Sequence, residues 1–256
     1  MTLEDCAFVG CFHPAYFQPM RSSPVITNIV RRCTFEGCTG YRRGGSAIQS
    51  GGAAISSVFV IEDCVFHRNA HNTSYDNSSV AITTYQFVDT TISGCLFEDN
   101  RVCESANSLI QVANSGKGCV VSNCRFLNNR GFGTTEGSKS ACFYFAGGDN
   151  NLVRDSLFLG NSLKTTSSSS KPQAFSPVSM QRSGCRAQFL NCTFLSNRTD
   201  VVGAVAGSAC GTFAALIEAN NGDWKYGLAF AHCVTKDSSI SAGADMVAGE
   251  IALAET

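Results

Sequence analysis

The pattern Phe-x-x-Asn recurs five times along this chain at a nearly constant interval. The copies run from Phe66 to Asn69, Phe97 to Asn100, Phe126 to Asn129, Phe158 to Asn161 and Phe194 to Asn197. In four copies a cysteine stands two residues before the phenylalanine: Cys64, Cys95, Cys124 and Cys192. Two earlier copies start at Cys6 and Cys33, with Phe8 and Phe35, and have Cys11 and Cys38 in place of the asparagine. Such internal repetition restricts the chain to repeat architectures.

The length and composition of the repeat favour strands over helices. Successive cysteine positions, with Ser156 in one copy and Cys233 in a degenerate last copy, lie 27 to 41 residues apart. Helical repeats of this length would show helical periodicity, whereas this chain has short alternating runs separated by Gly, Asn and Ser. Each unit contains about three such runs, and a corner at Glu62-Asp63 reconciles the parity of two of them.

Three short strands per unit, stacked about 4.8 Å apart, predict an all-β, single-stranded parallel β-helix of about seven to eight coils. We expect one domain, with regular repeats to about residue 200, irregular coils to 238, and a cap or tail over 239–256. Each cysteine and phenylalanine of the motif is predicted to point inward and to stack on its copies. Each asparagine is predicted to lie at a corner, to bond the backbone of adjacent coils and to tolerate a left-handed conformation there.

Most of the length variation follows the asparagine. The segments 39–46, 70–79, 101–107, 130–140 and 162–173 would all leave the solenoid along one edge, which is where such proteins often bind partners. Tolerated surface loops are the alternative reading. The candidate binding residues in these segments are Tyr41, Arg42, Arg43, His71, Tyr75, Asp76, Lys139 and Lys164.

Charge and hydropathy narrow the function classes. The formal net charge is −1, so nothing points to nucleic acid. Arg42 and Arg43 belong to a local basic cluster with Arg31 and Arg32, which reads as a solvated edge or as a site for an anionic ligand. No apolar run reaches the roughly 18 residues that span a bilayer. We see no signal peptide, which indicates either an intracellular protein or a piece of a longer secreted chain.

The 14 cysteines do not have the spacing of a zinc site, so no metal or cofactor is expected. About half of them occupy the repeat position, where a free cysteine serves as a small buried hydrophobe. Stacked copies would lie within disulfide range, so pairing is open. Cys103 and Cys142 lie off the repeat position, and no His or Asp accompanies either as a catalytic partner.

The Phe-x-x-Asn copies, together with Gly51-Gly52-Ala53-Ala54-Ile55, resemble the repeats of polymorphic outer-membrane proteins of chlamydiae and of similar proteins in protists such as trichomonads. The resemblance covers roughly residues 3–200. It implies a right-handed parallel β-helix and a surface or secreted location with adhesion to a host. In the printed sequence we see no segment with the pattern of the family's signal peptide, C-terminal β-barrel translocator or membrane anchor.

Three functions remain open. We expect a non-enzymatic structural or binding protein that recognises a protein or glycan through the looped edge. A carbohydrate-active enzyme is the alternative, but paired carboxylates are not evident, and Asp149 with Arg154 is the nearest approach to a lyase site. The third reading is an intracellular component of a larger assembly. Because the chain starts almost inside a repeat, we also expect its N-terminal end to pack against another subunit or an upstream segment.

Overall fold

A computed structural model describes residues 1–17, 25–40, 47–50, 57–71, 78–85, 88–103, 106–113, 118–133, 141–145, 150–165, 176–180, 186–201, 216–217, 227–236, 239–240 and 250–254. Every regular element in these ranges is a β-strand, and the strands form four sheets, named A to D here. All strand pairs between neighbouring coils are parallel, as in the pairing of Ile29 with Val60 and of Val60 with Thr91.

Sheets A and B lie on either side of the first corner. Sheet A consists of β1 (Thr2–Glu4), β4 (Ile26–Arg31), β8 (Ser57–Glu62), β12 (Val88–Ser93), β16 (Cys119–Ser122), β20 (Asn151–Arg154), β24 (Arg186–Leu190), β28 (Gly227–Ala231) and β31 (Glu250–Ala254). Sheet B consists of β2 (Ala7–Val9), β5 (Thr34–Glu36), β9 (Val65–His67), β13 (Leu96–Glu98), β17 (Arg125–Leu127), β21 (Leu157–Leu159), β25 (Thr193–Leu195) and β29 (Val234–Lys236).

Sheets C and D complete each coil. Sheet C consists of β6 (Thr39–Gly40), β10 (Ala70–His71), β14 (Arg101–Cys103), β18 (Arg130–Gly133), β22 (Ser162–Thr165), β26 (Arg198–Val201) and β30 (Ser239–Ile240). Sheet D consists of β3 (Ala15–Phe17), β7 (Ile48–Ser50), β11 (Ser78–Tyr85), β15 (Ala106–Ala113), β19 (Ala141–Phe145), β23 (Ser176–Met180) and β27 (Leu216–Ile217).

The predicted parallel β-helix is confirmed, with one correction to its cross-section. A full coil, for example β8 to β11, has one strand in each of the four sheets rather than three strands in all. The additional strand is the sheet C strand directly after the asparagine, which the sequence analysis assigned to the start of a loop. These strands are two to four residues long and mostly polar, so their alternation is too short to identify from sequence.

Two residues form each of the corners between sheets A and B and between sheets B and C. The corner predicted at Glu62-Asp63 lies one residue later, at Asp63 and Cys64, because Glu62 is the last residue of β8. The first residue of the corner has a positive φ, as at Asp63 (φ 50°). The same position holds Asp5, Arg32, Gly94, Asn123, Asp155, Asn191 and His232 at the A–B corner. At the B–C corner it holds Gly10, Gly37, Arg68, Asp99, Asn128, Gly160 and Ser196. The repeat asparagine is the second residue of its corner and lacks a positive φ, so the predicted left-handed asparagine is wrong.

The repeat phenylalanines form a continuous stack through the core. Seven rings, from Phe8 to Phe194, lie 4.7 to 5.2 Å apart between centroids and are within 12° of parallel. All but the first are buried, because register pairs each ring with the ring in the next coil. Phe143 of sheet D and Phe189 of sheet A pack edge-on or tilted against this stack and fill the rest of the cross-section.

The five repeat asparagines form a buried ladder beside the phenylalanine stack. In each link, Oδ1 accepts hydrogen bonds from the backbone N–H and the Nδ2 of the asparagine in the preceding coil, and Nδ2 also donates to the preceding coil's Phe carbonyl. Cys38 takes the asparagine position one coil earlier: its N–H donates to Asn69 Oδ1 at 2.8 Å and its thiol donates to the Phe8 carbonyl at 3.5 Å. Buried amides are tolerated because every donor and acceptor is paired.

The segment 239–256, expected as a cap or tail, contributes two strands. β30 pairs with β26 at the end of sheet C, and β31 pairs with β28 along five residues of sheet A. The predicted motif Gly51-Gly52-Ala53-Ala54-Ile55 lies outside the described residues.

Candidate functional site

Variable connections occur on both edges of sheet D. The A–B and B–C corners keep two residues throughout the described coils, whereas C–D connections range from two residues (104–105) to fourteen (202–215). D–A connections vary as well, from two residues (86–87) to nine (218–226). Length variation is therefore found on two edges and not only on the one predicted after the asparagine. We call the edge between sheets C and D the C–D edge.

The predicted binding residues fall into three groups on this edge. Tyr41, Arg42, Arg43, Tyr75, Asp76 and Lys139 lie outside the described residues. The backbone of Lys164 lies in β22, paired with Phe132, so this residue belongs to a strand rather than to a loop. His71 is the last residue of β10, paired with Gly40, and its side chain is fully buried.

His71 is therefore removed from the candidate binding surface. Asn69 is buried, Ala70 is half-buried and His71 is buried, which is the alternation of a strand with His71 on the inner side. Residues 70–79 were predicted to form a surface loop after Asn69, so His71 was expected to be exposed. A buried imidazole here is part of the scaffold and cannot reach a partner at the C–D edge.

An arginine row on sheet C was not anticipated from the sequence. Arg101, Arg130 and Arg198 are exposed, and each is the first residue of its strand. Register pairs Arg101 with Arg130, and Ser162 lies between Arg130 and Arg198. The spacing from Arg101 to Arg130 is about 4.8 Å and from Arg130 to Arg198 roughly 10 Å. The signal was present in the sequence: each of these arginines directly follows a repeat asparagine.

A second charged cluster lies on the outer face of sheet B. His67 lies between Glu36, with Nδ1 to Oε1 at 3.6 Å, and Asp99, with Nε2 to Oδ2 at 3.8 Å. Arg68 approaches Glu36 at 3.8 Å. The side chain of His67 is 21% exposed. Because the imidazole lies between the two carboxylates, the cluster is not an open pair of acids.

The predicted basic cluster is partly neutralised. Arg31 pairs with Glu4 at 2.9 Å, and Arg32 pairs with Glu4 and with Asp5, the latter at 2.8 Å. The hydrogen bond from Arg31 lowers the pKa of Glu4, and the hydrogen bond from Arg32 lowers the pKa of Asp5. Half of the cluster therefore has carboxylate partners in the adjacent coil.

Gln111 in β15 is a buried polar residue without a hydrogen-bond partner. Ile110 pairs in register with Phe143, whose ring packs on Phe126 in the core. Gln111 is next in the strand and so points to the outer face of sheet D, yet it is fully buried and neither Nε2 nor Oε1 is bonded. A buried amide without hydrogen bonds lowers the free energy of unfolding by about 1–3 kcal/mol, so Gln111 is an unfavourable residue for the stability of sheet D.

The repeat cysteines form a column of free thiols parallel to the phenylalanine stack. Each thiol donates to the carbonyl two residues earlier, for example Cys64 to Glu62 at 3.2 Å, and Ser156 does the same through Oγ at 2.8 Å. Hydrogen bonds to Cys124 and Cys64 raise the pKa of the Cys95 thiol. Off the column, burial raises the pKa of Cys119 and Cys142, so neither is an activated nucleophile.

Hydrogen bonds with Cys95 lower the pKa of Cys64 and of Cys124, and the last step of the column repeats this pattern. A hydrogen bond with Cys192 lowers the pKa of Cys233 to about 7, while the same bond raises the pKa of Cys192. Cys233 is half-buried and Cys192 is buried. The side chain of Cys103 lies outside the description, and the expectation that no His or Asp accompanies it stays a prediction.

The residues considered for catalysis or metal binding do not form a site in the described part of the chain. Asp149 lies outside it, and Arg154 forms an ion pair with Asp155 at 3.5 Å. No group of three His, Cys, Asp or Glu side chains is arranged to hold a metal ion among the residues with a described position. None of the described elements is a helix of the length and hydropathy needed to cross a membrane.

Several exposed apolar residues surround the first coil. Val9, Phe12, Tyr16 and Val25 are each more than half exposed. Leu3, Cys6, Phe8 and Cys11 are partly buried against the core from the same end. The expected contact of this end with another subunit or segment stays a prediction.

The chain matches no known protein-family model and no curated protein.

Proposed function

We propose that this protein is a non-catalytic binding module that recognises an acidic partner, a glycan or a protein, along the C–D edge. One observation carries the proposal: in three of four successive coils, a strand of sheet C that begins with an exposed arginine leads into a connection of variable length. A regular scaffold that presents variable segments along one edge is how solenoids build an extended binding surface.

The scaffold supports this role by fixing the positions of the strand ends. The phenylalanine stack and the asparagine ladder hold the coils in register on one side of sheet C. The segments that leave sheet C therefore start at regular intervals of about 4.8 Å. Their sequences include Tyr41, Arg42, Arg43, Tyr75 and Lys139, which are residue types common in recognition of glycans and proteins.

The positive charge of the arginine row favours a negatively charged partner. Arg101, Arg130 and Arg198 start their strands, and the C–D edge follows two to three residues later, within roughly 10 Å. A ligand with acidic groups every 5 or 10 Å would match these spacings, as a uronate or sulfated glycan does. Guanidinium groups bind carboxylates and sulfates in bidentate geometry.

The resemblance of the repeats to those of polymorphic outer-membrane proteins supports an adhesin-like role for the same edge. In the open alternative, a component of a larger assembly, the edge would contact a protein subunit. An acidic protein surface and an acidic glycan would use the same arginines, so the choice of probe separates them.

The test measures binding of the full 256-residue chain to immobilised heparin, polygalacturonate, poly-L-glutamate and neutral dextran. We expect binding to at least one acidic probe, retention that weakens with salt, and none on dextran. The triple variant Arg101→Ala, Arg130→Ala and Arg198→Ala should lose at least tenfold in affinity, as expected when about 1.4 kcal/mol of binding is lost.

The matched control removes the same charge from other faces. Arg125, Arg154 and Arg186 are exposed on sheets B and A, and their triple alanine variant should bind as the wild type does. Equal losses in both triple variants would mean that binding follows net charge and not the C–D edge. Release of new reducing ends from polygalacturonate would instead favour the enzyme, and alanine variants of Asp149, Arg154 and Asp155 would then identify its residues.

A further inference from the structure

Cys192 and Cys233 are neighbours at the end of the thiol column. Cys192 directly precedes β25 and Cys233 directly precedes β29. Thr193 and Val234 are paired in register, and the Val234 N–H donates to the Cys192 carbonyl at 2.9 Å. The two cysteines therefore occupy equivalent positions on adjacent parallel strands.

Their separation suits a disulfide. Adjacent strands lie about 4.8 Å apart, and disulfides form between Cα atoms about 4.4 to 6.8 Å apart. The two side chains have equivalent orientations, because the Cys192 thiol donates to the Leu190 carbonyl at 3.5 Å and the Cys233 thiol donates to the Ala231 carbonyl at 3.4 Å. Closing the bond therefore needs rotation of the two side chains.

Access distinguishes this pair from the middle of the column. Cys33, Cys64, Cys95 and Cys124 are at most 1% exposed, whereas Cys233 is half-buried between exposed His232 and exposed Val234. On the inner side of Cys192 the column continues with Ser156, which has no thiol. Oxidation that begins at Cys233 therefore has one column neighbour to react with, and Ser156 stops it from passing to Cys124.

Cys233 also has a lowered pKa. Cys64 and Cys124 share this property through Cys95, but both of those thiols are buried, whereas Cys233 combines a lowered pKa with access to solvent. The thiolate is the reactive form of cysteine, and an ordinary thiol is a few per cent ionised near neutral pH. A hydrogen bond with Cys192 stabilises the Cys233 thiolate and lowers the pKa of Cys233 to about 7. Cys192 keeps its proton and can serve as the resolving thiol.

We propose that Cys233 is a peroxide-reactive cysteine that forms a reversible disulfide with Cys192 and thereby cross-links two coils. The Cys233 thiolate attacks one oxygen of a hydroperoxide, the O–O bond breaks, and hydroxide leaves and takes up a proton as water. The sulfenic acid on Cys233 is then attacked by the Cys192 sulfur. The S–S bond forms as the S–O bond breaks, and a second water leaves with the Cys192 proton. Two thiols are oxidised by two electrons and one peroxide is reduced.

The test treats the reduced full-length protein with hydrogen peroxide at about pH 7.5, blocks free thiols, digests with trypsin without reductant, and analyses the peptides by mass spectrometry. Cys192 lies in the tryptic peptide 187–198 and Cys233 in 226–236, and each peptide has a single cysteine. We expect these two peptides to be joined, with a mass lower by two hydrogens than their sum, and to separate on reduction.

Two variants assign the order of the steps. In Cys192→Ser the reaction should stop at the Cys233 sulfenic acid, trapped by dimedone. In Cys233→Ser the Cys192 peptide should stay unmodified at the same peroxide dose. Alkylation of Cys233 by iodoacetamide at pH 7 should be roughly five- to tenfold faster in the folded protein than in the synthetic peptide 226–236, where the thiol has an ordinary pKa.

The matched comparison is Cys6 and Cys33 at the opposite end, where the outer thiol is also half-buried and its neighbour is buried. The proposal is overturned if Cys6 reacts as fast as Cys233, if Cys233 links to a cysteine other than Cys192, or if the joined peptide appears only after the protein is unfolded in urea. Circular dichroism of both serine variants checks that the fold is retained.

Discussion

Asn100 and Asn69 are joined through a single oxygen, because the Oδ1 of Asn100 accepts from the backbone N–H of Asn69 at 3.0 Å and from its Nδ2 at 3.1 Å. The Nδ2 of Asn100 donates to the Phe66 carbonyl at 2.8 Å and to Asn129 Oδ1 at 3.0 Å. Both side chains are fully buried. The amide has all of its hydrogen-bonding capacity satisfied, so any substitution leaves several buried partners unpaired.

Asn100→Ala should therefore be among the most destabilising single changes in the regular coils. It removes the acceptor of the Asn69 N–H and the donor to the Phe66 carbonyl, both of which stay buried. We expect a loss of about 3 kcal/mol in the free energy of unfolding, measured by urea titration followed by circular dichroism. The slope of the transition should be compared with the wild type, since repeat arrays can unfold in parts.

The matched control for this variant is Arg130→Ala, an exposed residue directly after the next asparagine of the ladder. Its effect should stay within about 0.5 kcal/mol. If Asn100→Ala cost no more than this control, the ladder would not contribute to the stability of the solenoid.

The ladder ends at Cys38, and extending it should be favourable. The Cys38 backbone already donates to Asn69 Oδ1, and its thiol points at the Phe8 carbonyl, which is where Nδ2 of an asparagine would lie. Cys38→Asn replaces a weak S–H donor by an amide of similar size. We expect the free energy of unfolding, measured by urea titration, to rise by about 1 kcal/mol. Cys38→Ala, which removes the donor without replacing it, is the comparison, and a loss with asparagine equal to that with alanine would refute the extension.

The inward columns could be predicted from sequence because each depends on one residue type at a fixed spacing. Cys95 and Phe97 are inward whatever the exact shape of the coil, since residues two apart in an extended segment lie on the same side. The parallel β-helix followed from the same repetition. The corner at Asp63 followed from a parity break with Cys64, and the structure has it there.

The fourth strand and its consequences could not be predicted in the same way. β10 has two residues, Ala70 and His71. Two residues are too few to show the alternation of apolar and polar side chains that identifies a strand. His71 was therefore placed in solvent although it is buried. The left-handed residue was assigned to the asparagine, but the backbone places it one residue earlier because the asparagine must turn inward to reach the ladder. The arginine row was missed because its signal, an arginine after the asparagine, occurs in only some copies.

Removing a ring from the middle of the phenylalanine stack should cost more than removing one at its end. Phe97 lies 4.8 Å from both Phe66 and Phe126 and is fully buried. Phe97→Ala should lose about 4 kcal/mol, because it removes two stacked contacts and leaves a cavity. Phe8 contacts one ring and is half-buried, so Phe8→Ala should lose about half as much in the same urea titration. Equal losses would show that stacking order does not determine the cost.

The ion pairs at the first A–B corner should make stability depend on pH at the acid end. The pKa of Glu4 is lowered from 4.5 by its hydrogen bond with Arg31, and that of Asp5 from 3.8 by its hydrogen bond with Arg32. A carboxyl whose pKa is lower when folded stabilises the fold above its ordinary pKa. That contribution is lost as the pH falls through the folded value.

Arg32→Ala removes a partner of both carboxylates. NMR titration of the side-chain carboxyl carbons should show the midpoint of Asp5 rising toward 3.8 in this variant. The difference in unfolding free energy between wild type and variant should shrink as the pH falls from about 5 through the lowered pKa values of Glu4 and Asp5, below which both carboxyls are neutral in either protein. A difference that stays constant over this range would mean that Arg32 acts by packing alone.

Gly94 and Asp63 occupy the same A–B corner in successive coils and provide a test of the left-handed backbone. Gly94 has φ 64°, and a Cβ added there would overlap with Oδ1 of Asp63. Gly94→Ala should cost about 2 kcal/mol in urea titration, of which roughly half is the left-handed conformation and the rest the contact with Asp63. In an Asp63→Gly background the contact is gone, so the same alanine should cost only about 1 kcal/mol. If Gly94→Ala lowered the free energy of unfolding equally in both backgrounds, a clash between the new Cβ and Asp63 would be excluded. If it lowered the free energy of unfolding in neither, the positive φ at Gly94 would be contradicted.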